Sequence, residues 1–152
     1  MMLAVGVDIL EVERMTRGVA RFGDRFCDRF FTAREQEQCN GRATSLAGRF
    51  AVKEAVGKAL GTGIGDVGWK EIEIVSDDSG RPTLALHGAA ARLAAERGLG
   101  EWAISLSHTG THAVGMAVAL ALDGAFLSTI VPTDITRDTD DDRRDATRED
   151  KR

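Results

Sequence analysis

The sequence predicts an α+β fold, and three observations lead to it. Period-two apolar alternation opens the chain and returns twice near its end, around residues 102–107 and 113–122. Helix-period stretches rich in alanine or charge lie between these strands rather than alternating regularly with them. Two further apolar runs, 70–75 and 83–86, flank the polar turn Asp77-Asp78-Ser79-Gly80 and read as a hairpin.

Taken in order, residues 3–10 form the first strand, with Leu3, Val5, Val7 and Ile9 on one face and Ala4, Gly6 and Asp8 on the other. A helical region starts near Glu11, although Gly18 and Gly23 argue against one long rigid helix. Thr32-Ala33-Arg34-Glu35 is a capping box that starts the next helix. A central helix runs over 46–60, with Val52, Ala55, Val56 and Ala59 as its core face and Gly61 as a left-handed stop. After the hairpin, 89–97 is an alanine-rich helix ending near Gly98.

At 152 residues, 43% hydrophobic and 29% charged, the chain suits one compact domain that buries roughly two-thirds of its unfolded surface. No apolar run is long enough to span a bilayer, and the N-terminus reads as a strand rather than a signal peptide. Cys27 and Cys39 lack metal-type spacing, so reduced structural thiols in a cytoplasmic protein are expected. A net charge of -4, with no basic stripe interleaved with aromatics, argues against nucleic acid as a partner. Residues 123–152 form a charged extension with nine acidic and six basic residues, expected to be largely disordered from about 134. Within it, 126–131 is apolar enough to pack on the core.

The chemistry concentrates in the central helix. At about 100° per residue, Glu54 and Lys58 share one stripe with Ala47, Phe50 and Ala51, while Arg49 and Lys53 share a second. Alone, a Glu-to-Lys pair four residues apart adds only about 0.3–0.5 kcal/mol to a helix. Asp8 changes the weighing, because a carboxylate within a strand between small residues needs a partner. It either caps the next helix or shares a hard cation with Glu54; Mg²⁺ commonly takes one or two protein carboxylates and fills its shell with water and phosphate oxygens. The glycines at 61, 63, 65 and 68 follow a helix C-terminus and so do not form a phosphate loop. Gly57-Lys58 likewise lacks the Ser or Thr of a Walker A motif.

Four segments then fall in one order and spacing: Gly6-Val7-Asp8-Ile9-Leu10-Glu11-Val12-Glu13-Arg14, residues 47–65, Gly80-Arg81-Pro82, and Ser105-Leu106-Ser107-His108-Thr109. Together they resemble the holo-acyl-carrier-protein synthase family of phosphopantetheinyl transferases over residues 3–122. The resemblance implies a compact fold with a mainly antiparallel sheet and a long central helix. It also implies Mg²⁺-dependent transfer of 4'-phosphopantetheine from coenzyme A to a serine of an apo acyl carrier protein, releasing adenosine 3',5'-bisphosphate. By resemblance, Asp8 and Glu54 are metal ligands, Glu54, directly or through a metal-bound water, is the candidate general base, and Lys58 stabilises or protonates the departing phosphate. Arg49, Arg81, Pro82, His108 and Thr109 resemble coenzyme-contacting positions, and Arg14, Arg21 and Arg25 resemble carrier-binding arginines. A homotrimer is implied as well, with Asp8, Glu54 and Lys58 from one subunit and Arg81 and His108 reaching the same site from its neighbour. The position of Gly57 often holds Ser or Ala in the family, a departure that bears on the local coenzyme contact.

Independently of resemblance, residues 14–42 carry seven arginines, and Arg14, Arg17, Arg21 and Arg25 recur at helical spacing. Such a surface suits an acidic partner such as an acyl carrier protein. Two other functions use the same residues: a metal-dependent coenzyme A phosphohydrolase, distinguished by indifference to a carrier, and a noncatalytic coenzyme- or carrier-binding module, distinguished by binding without turnover.

Overall fold

A computed structural model describes residues 2–121. The expected extension over 123–152, including 126–131, lies outside the described residues. The elements are β1 (Met2–Glu11), α1 (Val12–Phe22), α2 (Asp24–Phe30), α3 (Ala33–Cys39), α4 (Ala43–Leu60), a 3₁₀ turn (Trp69–Glu71), β2 (Ile72–Ser76), β3 (Pro82–Leu86), α5 (Gly88–Glu96), β4 (Leu99–His108) and β5 (His112–Ala121). β1, β5 and β4 form an antiparallel sheet in that order, and β2 and β3 form the expected hairpin.

The sheet lies on α4 almost backbone to backbone. A Cβ at Gly6 would stand 1.8 Å from the Ala55 carbonyl oxygen, and one at Gly115 would stand 2.3 Å from the Val52 nitrogen. Glycine is required at these crossings because any side chain would lift the strand from the helix. Their consequence is functional: Asp8, paired with Gly115 in the register, is brought down to the helix surface.

This packing decides which face of β1 is the inner one. Its inner face is the small one, with Ala4 and Gly6 buried against α4, whereas Leu3, Val5, Val7 and Ile9 are 54–66% exposed. The helix passes too close for branched side chains, so the large apolar residues face outward. They pair across to Leu120, Val118, Met116 and Val114 of β5, making a continuous apolar sheet face.

One core joins α4 to the sheet, hairpin and α5 through Val52, Ala55, Val56, Leu60, Ile72 and Ile74. A second, built on Met15, Phe31, Cys39 and Leu46, lies under α1 to α3. Gly23, at φ 55°, divides α1 from α2, as its backbone freedom predicts. Gly61 closes α4 in the left-handed conformation, φ 77° and ψ 15°. Thr32 and Glu35 form the predicted capping box.

Candidate active site

The first functional contact joins β1 to α4. The Lys58 ammonium donates to Asp8 Oδ1 and to the Val7 carbonyl, each at 2.9 Å. Both side chains are about one-fifth exposed, 21% for Lys58 and 20% for Asp8. Open on one side and paired on the other, they form a charged pair that an anionic ligand can reach. Glu54, one turn before Lys58, is also half-buried.

Glu54 borders a cavity of ≈ 280 Å³ that also meets Arg14, Arg29, Phe30, Phe50 and Trp69. Its wall is an aromatic stack. Phe50 and Trp69 lie face to face at 4.6 Å, and Phe30 meets both edge-on at 5.5 and 5.1 Å. The Arg29 guanidinium covers Phe30 from 5.3 Å. The cavity is thus lined by apolar side chains together with Arg14, Arg29 and Glu54, and through Glu54 it meets the stripe that carries Lys58. Phe50 shares that stripe, so its place was legible from spacing; Phe30 and Trp69 arrive from separate elements and gave no local signal.

The opposite stripe of α4 does different work. β2 has β3 on one side only, and its other edge would leave buried backbone groups unpaired. Four side chains satisfy them. Lys53 donates to the Ile72 carbonyl at 2.7 Å, Glu35 Oε1 accepts from the Ile74 amide at 2.9 Å, and Arg49 donates to the Ile74 carbonyl at 3.0 Å. Gln38 accepts from the Ser76 amide at 2.8 Å and donates to the Ser76 carbonyl at 3.0 Å. Lys53 and Glu35 are fully buried and bond each other at 2.8 Å. Burial pushes the Lys53 ammonium below its ordinary range, and the Glu35 carboxylate opposes that shift.

Arg49 belongs to this edge-pairing group. It is 7% exposed, and its guanidinium also bonds Gln38 at 3.1 Å. The structure gives it backbone and amide partners on β2 and α3, an anchoring position rather than an open phosphate-binding one.

The remaining expected positions are dispersed within one chain. Arg81 is exposed at the hairpin turn, where its amide donates to Asp77, and Pro82 opens β3. His108 ends β4 and is exposed; Thr109 Oγ1 organises the following turn by accepting from the Thr111 and His112 amides. Asp8 and His108 lie on the two outer strands of one sheet, with β5 between them. Arg14 and Arg21 of α1 and Arg25 of α2 are exposed. Both cysteines are free, Cys39 buried and Cys27 half-buried, and burial raises both thiols above their ordinary range.

Comparison with known proteins agrees with this architecture. The model of the 4'-phosphopantetheinyl transferase superfamily matches residues 4–116. The chain is 44% identical over 126 residues to a holo-[acyl-carrier-protein] synthase of Herpetosiphon aurantiacus, covering 78% of this chain and 99% of that one. Among solved structures, the Helicobacter pylori holo-[acyl-carrier-protein] synthase in complex with coenzyme A superposes with a TM-score of 0.70 at 30% identity, covering 76% of this chain and 99% of that one. The Chronobacterium ammoniagenes ACPS-CoA complex gives 0.72 at 30% identity, with 81% and 100% covered. The chain belongs to the 4'-phosphopantetheinyl transferase superfamily, and within it to the holo-acyl-carrier-protein synthase family. It is a transferase of phosphopantetheine, and the α+β reading of its sequence holds.

Proposed function

We propose that Asp8, Glu54 and Lys58 form the centre at which this transferase moves 4'-phosphopantetheine from coenzyme A to a serine of an apo acyl carrier protein. The observation carrying the assignment is the Lys58 bridge to Asp8, one helical turn beyond Glu54. The serine oxygen attacks the phosphorus bearing the pantetheine arm, and the bond from that phosphorus to the bridging oxygen of adenosine 3',5'-bisphosphate breaks. Glu54, directly or through a water, takes the serine proton. Lys58 faces the charge appearing on the departing phosphate.

The donor set fits Mg²⁺. Among the described residues no group of three or more His, Cys, Asp or Glu side chains gathers at one place. Asp8 and Glu54 are instead a pair of hard oxygen donors suited to a cation that keeps water and phosphate ligands. When bound there, Mg²⁺ supplies neutralisation of the pyrophosphate oxygens. Asp8 and Glu54 would hold the cation, and Lys58, which here bonds Asp8, would serve the phosphate.

The same proposal takes the protein as a homotrimer. The exposed apolar face of β1 and β5, including Val114 at 37% and Met116 at 44%, is a surface that association would cover. In this reading, Arg81 and His108 complete the coenzyme site of a neighbouring copy. Sedimentation equilibrium checks this, and a monomeric active enzyme rejects it. Exposed Arg14, Arg21 and Arg25 are assigned to the acidic carrier. No helix among the described residues is long and apolar enough to cross a membrane.

Intact-protein mass spectrometry of apo carrier with coenzyme A and Mg²⁺ tests the reaction. A phosphopantetheine increment that requires both metal and Glu54 is expected. Release of phosphopantetheine without any carrier would instead identify a phosphohydrolase, and binding without turnover a noncatalytic module.

A further inference from the structure

Lys53 is the neighbour of Glu54 on α4, turned about 100° from it around the helix, and is fully buried. Its three ammonium hydrogens have three acceptors: Glu35 at 2.8 Å, the Ile72 carbonyl at 2.7 Å and the Trp69 carbonyl at 2.9 Å. The last of these is the informative one. A buried ammonium could be neutralised by Glu35 and the strand edge alone, but this one also holds the residue whose ring stacks on Phe50. That stack lines the same cavity as Glu54. The backbone that carries Trp69 follows the glycine-containing stretch 61–68, in which Val67 is the one buried side chain.

We infer that Lys53, with Glu35 as its charge partner, is a positioning residue that sets the aromatic wall beside Glu54 and so governs how the carrier's serine is presented. The inference rests on the transfer reading above. It assigns Lys53 no contact with substrate: it acts through Trp69. Coenzyme affinity, which depends on the Asp8 and Lys58 side, is left unchanged.

Trp69 reports on itself. The chain has two tryptophans, and Trp102→Phe leaves Trp69 as the sole indole emitter. In that background, Lys53→Met/Glu35→Met replaces a buried ion pair with apolar side chains, an exchange that often preserves stability. The expected result is a red-shifted Trp69 emission and a fall in kcat/KM for the carrier of about tenfold to a hundredfold, as misplacement by a distant group produces. The Kd for coenzyme A with Mg²⁺, measured by calorimetry, is expected within about twofold of the parent, below the roughly fivefold lower limit of a typical coupling between sites. Glu35→Gln serves if the double variant fails to fold cooperatively, since it keeps an acceptor while removing the charge; it is expected to give the same pattern with a smaller change. Unmoved emission, unmoved carrier kcat/KM, or a coenzyme Kd that weakens in step with kcat/KM in a folded variant overturns the inference. A parent enzyme that transfers nothing overturns the transfer reading instead, a result visible before any Lys53 variant is made.

Discussion

Lys53 and Lys58 sit on one helix, five positions apart, in opposite circumstances. Lys58 is half-buried, bonds a carboxylate on a neighbouring strand and stays within reach of an anion. Lys53 has no exposed surface and every one of its donors is occupied. The partners differ in kind as well: Asp8 sits on a strand brought close to α4 at Gly6 and is paired with Gly115 of β5, whereas Glu35 is locked into a helix cap by the Thr32 amide at 2.8 Å. A charged pair that can be exchanged for ligand supports chemistry. One closed on all sides supports shape. On the proposed assignment, α4 serves the site with one stripe and the fold with the other.

The sharpest way to break that contrast is to exchange the consequences. Asp8→Ala and Glu54→Ala are expected to lower turnover at least about a hundredfold, with unfolding midpoints near that of the parent. Turnover assays beside urea denaturation check both halves. Loss of the fold in either variant would erase the distinction between stripes. The second largest effect is expected on the closed stripe: Lys53→Met alone leaves Glu35 charged and buried, which costs about 3–5 kcal/mol of stability. Urea unfolding measures it, and a loss below about 1 kcal/mol would place Lys53 with ordinary surface pairs.

Both stripes were visible in the sequence, but only one could be interpreted there. Spacing placed Glu54, Lys58 and Phe50 together, and the odd chemistry of an Asp in a strand drew Asp8 to them. For Arg49 and Lys53, spacing gave a shared direction and nothing about its destination. That destination is the unpaired edge of β2, more than 15 residues away in sequence from Arg49 and Lys53, and edge pairing by side chains has no periodic signature. Glu35 shows the same limit: its role as a cap was local and legible, while its bonds to Lys53 and Ile74 depend on tertiary packing. The outward turn of Leu3, Val5, Val7 and Ile9 was hidden for a related reason. Alternation tells which residues share a face, but the choice of inner face was made by Gly6 and Gly115 against α4.

Smaller effects sharpen the comparison at its margins. Arg14 is exposed where the open stripe's cavity begins, so Arg14→Glu is expected to raise the carrier KM about tenfold at low salt, converging on the parent as salt screens the charge. Coenzyme Kd stays constant, and carrier titrations across ionic strength check it; equal KM values at low salt would remove Arg14 from the docking surface.

The smallest effect belongs to the closed side, at Glu71 beside the first residue of β2. Its carboxylate accepts the Ala89 amide at 2.8 Å and the Gly68 amide at 2.7 Å, and these two bonds, Ala89 first, hold it below the ordinary carboxylate range. A carboxylate depressed in the folded state contributes stability above its unfolded pKa of about 4.3, and the contribution fades as pH falls through the lower folded value. Glu71→Gln is therefore expected to be slightly less stable than the parent at pH 7, with the gap closing below pH ~4. Urea midpoints from pH 7 to pH ~3 resolve this. Parallel curves would mean that the Glu71 charge does nothing for the turn that carries Trp69, leaving Lys53 as the anchor for that backbone with no help from the turn itself.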